Sequence, residues 1–131
     1  MKLDKDFIWG VSASAYQIEG AEREDGRGAS VWDSEFSSGH VLGDMNGKIA
    51  CDHYHRYKED VALLKKAGIK NYRFSVSWPR IIPNGTGEIN EKGVEFYKNL
   101  VDELIAADIT PWVTIYHWEL PRKLYEKGGY L

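Results

Sequence analysis

The sequence has one cysteine, Cys51, so no internal disulfide framework can form. Basic charge is not in excess. Seventeen Lys and Arg stand against 20 Asp and Glu, a formal net charge of −3, where a nucleic-acid partner would favour a basic stripe. No apolar run approaches the ~18 residues of a membrane span. The opening MKLDKDFIWG has neither the apolar stretch nor the cleavage site of a secretory signal. The expectation is therefore no nucleic acid, no membrane and, by default, a cytoplasmic location. CxxC, HExxH, GxSxG and P-loop strings are missing, as is a GxGxxG after the first strand. What remains is ordinary for a folded soluble protein: 131 residues, 43% hydrophobic and 28% charged. A chain of this length can bury a real core.

Aromatic residues are plentiful: five Trp, eight Tyr and four Phe, or 13% of the chain. They suit a core of large side chains, and equally a carbohydrate site, where sugar rings lay their C–H faces on indole and phenol. The count alone does not choose.

The order reads strand, long loop, helix, strand, loop, helix, strand. Residues 7–12 (FIWGVS) are apolar and predict a buried strand. Residues 13–51 are rich in glycine and charge and predict a long ordered loop, with a short helix around 14–20. Such loops are uncommon unless they do something. Tyr54, Tyr57, Val61 and Leu64 recur at helical spacing, with Asp52 as N-cap and Gly68 past the end. Residues 71–77 (NYRFSVS) predict a strand stopped at Trp78-Pro79, and 83–88 (PNGTGE) a turn. Asn90 caps a second helix to about Ala107, with Val94, Tyr97, Val101 and Leu104 on one face. Residues 111–117 (PWVTIYH) predict the third strand, and the segment from Pro121 the start of a third helix.

An offset of 40 residues aligns Tyr57, Val61, Leu64, Ala67, Ile69, Tyr72 and Phe74 with Tyr97, Val101, Leu104, Ala107, Ile109, Trp112 and Thr114, and every pair but the last keeps its apolar character. A repeat holding one helix and one strand is a βα unit, joined by a parallel crossover. With polar and aromatic loops after each strand, it points to an α/β fold of the (β/α)₈ barrel type. The site then lies at the C-terminal ends of the strands.

On that reading Tyr16, Gln17 and Glu19 follow the first strand. Arg73 and Trp78 belong to the second, and His117, Trp118 and Glu119 close the third. Gln17, His117 and Trp118 supply an amide, an imidazole and an indole N–H, a set suited to reading the hydroxyls of a polyol. Each also has an ordinary reading, as loop amide, structural histidine or packing indole. Arg73 lies in an apolar strand between Tyr72 and Phe74, so alternation puts it in the barrel interior or under the site. A buried guanidinium needs a carboxylate, and none is an obvious partner by position, which suggests one supplied from elsewhere. Cys51, His53 and His55 do not make a metal set, because positions two apart on a helix face apart. Glu19 and Glu119 could by position alone form an acid/base pair.

These residues also carry a resemblance. Residues 7–21, FIWGVSASAYQIEGA, match the N-terminal motif of glycoside hydrolase family 1, the β-glucosidase family. EDGRG (24–28), SVWD (30–33), CDHYHRYKEDVALLKKAG (51–68), YRFSVSWPRIIPNGTG (72–87), NEKGVEFYKNLVDEL (90–104) and ITPWVTIYHWELP (109–121) follow as in that family. The resemblance implies a retaining β-glycosidase acting on a β-glycoside or oligosaccharide, with no metal or organic cofactor. Residues 1–131 would be strands 1 to 3, the first three or so βα units of a (β/α)₈ TIM barrel, not closed on its own. Gln17, His117 and Trp118 match positions that bind the hydroxyls of the non-reducing sugar in the −1 subsite. Arg73 matches the arginine beside the nucleophile. Glu119 stands where WDLP is the commoner form. The family's acid/base and nucleophile glutamates lie in TxNEP and TENG-type strings, neither of which occurs here. The implied chain holds no catalytic glutamate and is inactive alone. It pairs with a second polypeptide carrying the other strands, self-associates through open edges, or serves as a non-catalytic sugar-binding piece of the same fold.

Overall fold

The computed structural model describes residues 3–33 and 46–129; the part of the long loop at 34–45 lies outside them. The elements in order are β1 (Val11–Ala13), α1 (Ala15–Ile18), α2 (His53–Lys66), β2 (Asn71–Ser75), α3 (Trp78–Ile81), α4 (Glu91–Ala106), β3 (Thr110–Thr114) and α5 (Arg122–Tyr125). The strands form one parallel sheet in the order β1-β2-β3. Val11 lies opposite Tyr72, and Tyr72 opposite Pro111. This is the βα succession that the repeat predicts. Among the described residues no helix is long and apolar enough to cross a membrane.

One sheet face is covered. Tyr72 and Phe74 of β2 pack with Val61 of α2, with Phe96, Tyr97, Leu100 and Leu104 of α4, and with Ala107 and Ile109. Leu100 and Leu104 are at most 1% exposed, and each buried aliphatic side chain contributes about 1.5–3 kcal/mol. Tyr54, Tyr57 and Leu64 pack at the rim of this core, as the spacing in α2 predicts. In α4 the predicted stripe is shifted. Val94 is 37% exposed, and the buried line runs through Gly93, Phe96, Tyr97, Leu100 and Leu104. Gly93 is the reason: a Cβ there would stand 2.1 Å from the Arg80 carbonyl oxygen, so the helix seats its glycine against α3.

The first strand is shorter than predicted and starts later. Val11 pairs with Tyr72, so residues before Gly10 have no β2 residue opposite them. The chain from Ala67 to Lys70 is still turning out of α2 through Gly68, at φ +75°. Phe7, Ile8 and Trp9 consequently stay exposed. β2 and β3 likewise end early, at Ser75 and Thr114, and the short helix α3, unexpected from the sequence, begins at Trp78-Pro79. Proline suits a first helical turn, where its missing N–H has no partner to lose. Asp52 and Asn90 stand at the N-caps but make no side-chain cap bond. The Asn90 amide instead donates to the carbonyls of Asp25 and Arg80, joining the long loop to α3.

Candidate functional site

A parallel sheet delivers every strand's C-terminal end to the same side, so the segments after β1 and β3 meet there although 100 residues separate Gln17 from His117. They enclose a cleft of about 220 Å³ lined by Ser14, Tyr16, Gln17, Trp32, His117 and Trp118. The three residues read as hydroxyl binders thus stand in one wall system. Gln17 comes from α1, while His117 and Trp118 follow β3. Gln17 and Trp118 are exposed and His117 is partly buried.

Two aromatics shape this cleft. Tyr16 donates its hydroxyl to the Trp32 carbonyl and accepts from the Gly47 amide at 3.2 Å. Burial, chiefly, pushes the Tyr16 phenol up. Trp32 donates its indole N–H to the Trp118 carbonyl at 2.8 Å, fixing a residue whose φ is +68°. A non-glycine residue there is strained and persists only when its surroundings over-determine it. Tyr116 links Trp118 to Trp78, with ring centroids 6.4 and 5.9 Å apart. Much of the aromatic content therefore serves the core and this cleft, while Phe7, Trp9 and Trp112 belong to neither. Trp32 was not singled out by sequence reasoning, since an aromatic in a loop carries no periodic signal.

Arg73 does not line that cleft. It sits on the sheet face opposite Tyr72 and Phe74, as alternation predicts, but it is exposed rather than buried. Its Nε donates to Thr114 Oγ1 at 2.8 Å, and it borders a separate hollow of about 320 Å³ with Ser12, Asn71 and Trp112. No described element covers this face, which is why the guanidinium needs no carboxylate here.

The two glutamates weighed as a catalytic pair are occupied otherwise. Glu119 is buried, and its Oε1 accepts from Arg27 Nη2 at 2.8 Å and from Ser77 Oγ at 2.6 Å. Glu19, also buried, accepts from Arg80 Nε at 2.9 Å and from the Tyr97 hydroxyl at 2.5 Å. Arg27 further makes a fork to Asp33, at 2.9 and 3.0 Å. Arg80 lies over the Tyr54 ring, 4.2 Å from its centroid. Burial pushes the Glu119 carboxyl up to about 7, against the pull of Arg27 and Ser77 and with the charge of Glu19 adding to it. Burial and the same two carboxylates hold the Tyr97 phenol well above its ordinary range. Sequence reasoning missed Arg27 and Arg80, because charged residues between periodic segments read as solvated, and it read Tyr97 only as part of the α4 face.

Among the described residues no group of three His, Cys, Asp or Glu side chains is placed to hold a metal. His53 is buried and directed to Asp60 at 2.6 Å, whereas half-exposed His55 lies between Asp52 and Glu24. Asp52, above all, raises the His55 pKa.

Comparison with known proteins gives the family and the fold. The family model for glycosyl hydrolase family 1 matches residues 1–131. Beta-glucosidase A of Acetivibrio thermocellus is 55% identical over 127 residues, covering 96% of this chain and 28% of that protein. Aryl-phospho-beta-D-glucosidase BglC of Bacillus subtilis is 56% identical over 127 residues, covering 95% of this chain and 26% of its own length. The solved family 1 β-glucosidase of Thermotoga maritima superposes with a TM-score of 0.92 at 50% identity, over 98% of this chain and 30% of that one. The chain thus spans under a third of the length of the relatives it matches, and its three strands correspond to part of their TIM barrel.

Proposed function

Because the chain belongs to glycosyl hydrolase family 1, we propose that it supplies the sugar-reading side of a retaining β-glycosidase. The observation that carries this is the meeting of Gln17, His117 and Trp118 in one cleft at the strand ends. The Gln17 amide can donate to one sugar hydroxyl and accept from its neighbour. The His117 ring nitrogens and the Trp118 indole N–H add directional partners. Such contacts accelerate the reaction to the extent that they tighten as the sugar ring flattens toward an oxocarbenium ion.

A retaining mechanism also needs two carboxyl groups ~5–5.5 Å apart, one to protonate the leaving oxygen and one to attack. Glu19 and Glu119 are each committed to a buried arginine, and the sequence contains neither family glutamate string. Our reading is that the 131 residues alone do not turn over a glycoside and act with the remaining strands. Arg73, exposed on the open sheet face, would then hold the nucleophile's carboxylate ionised by proximity of opposite charge.

The test is hydrolysis of a chromogenic aryl β-glucoside by the chain alone and by the chain mixed with a polypeptide supplying the remaining strands. The mixture should be active, the chain alone silent, and Arg73→Met in the mixture severely slowed. Turnover by the chain alone would refute the absence of its catalytic pair, and normal rates with Arg73→Met would refute that role. A second reading, self-association, is favoured by the sheet edges: Ile115 is 80% and Trp9 69% exposed beside strands that, among the described residues, pair on one side. A monomer by light scattering would remove it.

A further inference from the structure

The residues that read the cleft are each followed, in sequence, by a buried carboxylate that faces elsewhere. Glu19 comes two positions after Gln17 and caps α1, and Glu119 comes directly after Trp118. Neither lines the cleft. A continuous set of hydrogen bonds joins them. Glu119 accepts from Ser77 Oγ at 2.6 Å, the Ser77 backbone N–H donates to the Tyr97 hydroxyl at 2.6 Å, and that hydroxyl donates to Glu19 at 2.5 Å. Every member is buried. From this geometry we infer that Tyr97 and Ser77 are positioning residues, whose bridge between Glu19 and Glu119 sets the separation of Gln17 from His117 and Trp118.

The inference rests on reading those three residues as the sugar readers. Its physical basis is that Glu19, Tyr97, Ser77 and Glu119 are each hydrogen-bonded in a buried setting, where breaking one link leaves a polar group costly to strand. Tyr97 donates to one carboxylate while accepting from the β2–α3 turn, so its single oxygen fixes both directions. The backbone strain at Trp118, φ +68°, is a second and independent observation. It is held on one side by the Trp32 indole and on the other by the anchored carboxylate of the next residue.

The test uses the full chain, labelled with ¹⁵N, and two-dimensional NMR of the side-chain N–H groups. Tyr97→Phe removes the bridging oxygen and should shift both the Gln17 amide and the Trp118 indole signals. Ser77→Ala keeps the backbone donor to Tyr97 but removes one of the two donors to Glu119, leaving Arg27, so it should shift the Trp32 and Trp118 indoles and leave the Gln17 amide in place. Leu104→Ala, which opens a cavity in the same core without touching the bridge, should leave all of them in place. Affinity for a gluconolactam-type probe should fall roughly tenfold in Tyr97→Phe and stay constant in Leu104→Ala. Unmoved signals in Tyr97→Phe, or equal movement in Leu104→Ala, would overturn the inference. If Tyr97→Phe does not fold, the one-sided pattern of Ser77→Ala decides it. A wild-type chain that binds no probe while the NMR pattern holds would defeat the sugar reading and leave the bridge standing.

Discussion

Replacing Arg27 by Met should remove a buried cation that several groups share. The guanidinium donates to the carbonyls of Glu22 and Gly28 at 3.0 Å, to both oxygens of Asp33, and to Glu119 at 2.8 Å. Its side chain is 3% exposed, and its carboxylate partners 6% and 4%. Met fills similar volume but takes the Arg27 counter-charge away from two buried acids, a change worth about 3–5 kcal/mol, against a total stability of about 5–15 kcal/mol for a typical domain. The loss should depend on pH. Glu119 in the folded chain titrates at about 7 instead of 4.5, so the native state binds its proton first as pH falls. The stability this group provides is full below its ordinary value and is lost as pH rises through about 7, a span worth about 3 kcal/mol. Without Arg27 the ionised form is still less welcome, so the variant should suffer most at about pH 8 and at least about 1 kcal/mol less at about pH 5.5. Urea unfolding followed by tryptophan fluorescence at both pH values reads this directly. His55, whose pKa is also raised, loses stability in the same direction, so Glu119→Gln serves as the control that flattens only the Glu119 share. A loss under about 1 kcal/mol at the higher pH, or an equal loss at both, would refute the argument.

Three other outcomes follow from packing. Leu104→Ala, at a fully buried position, should cost about 2–5 kcal/mol in urea unfolding. Gly93→Ala should destabilise clearly more than Gly68→Ala. The first drives a methyl to 2.1 Å from the Arg80 carbonyl, whereas the second meets nothing within 4 Å and suffers only the left-handed backbone, about 1 kcal/mol; thermal melts of the two variants compare them. Ile115→Lys, beside the open edge of β3 and 80% exposed, should reduce any self-association seen by light scattering without lowering the melting temperature.

The elements legible in the sequence are those whose burial follows a period. α2 shows its spacing through Tyr54, Tyr57, Val61 and Leu64, and β2 its alternation through Tyr72, Arg73 and Phe74. Where a partner decides, the period misleads. Residues 7–9 are apolar enough for a strand, but β2 starts too late to pair with them. The inner face of α4 turns on Gly93, which has no hydropathy to read. The three cleft residues were legible because each follows a strand, and parallel strands bring those positions together. The arginine–carboxylate pairs were not. Arg27 and Glu119 lie 92 residues apart and Arg80 and Glu19 61 apart, and a lone charge in a loop resembles any solvated one until the fold buries it.

The two faces of the sheet bear differently on the proposed site. The covered face and the Glu19–Tyr97–Ser77–Glu119 bridge are made wholly of residues within this chain. The relative placement of Gln17, His117 and Trp118 is thus set without anything resting on the open face. Arg73, on that open face, has Thr114 as its hydrogen-bond acceptor, and the role proposed for it requires a carboxylate from outside these 131 residues. The proposed sugar recognition and the proposed support of the nucleophile are consequently separable. The first can be measured as binding by this chain, whereas the second can appear only when the remaining strands are supplied.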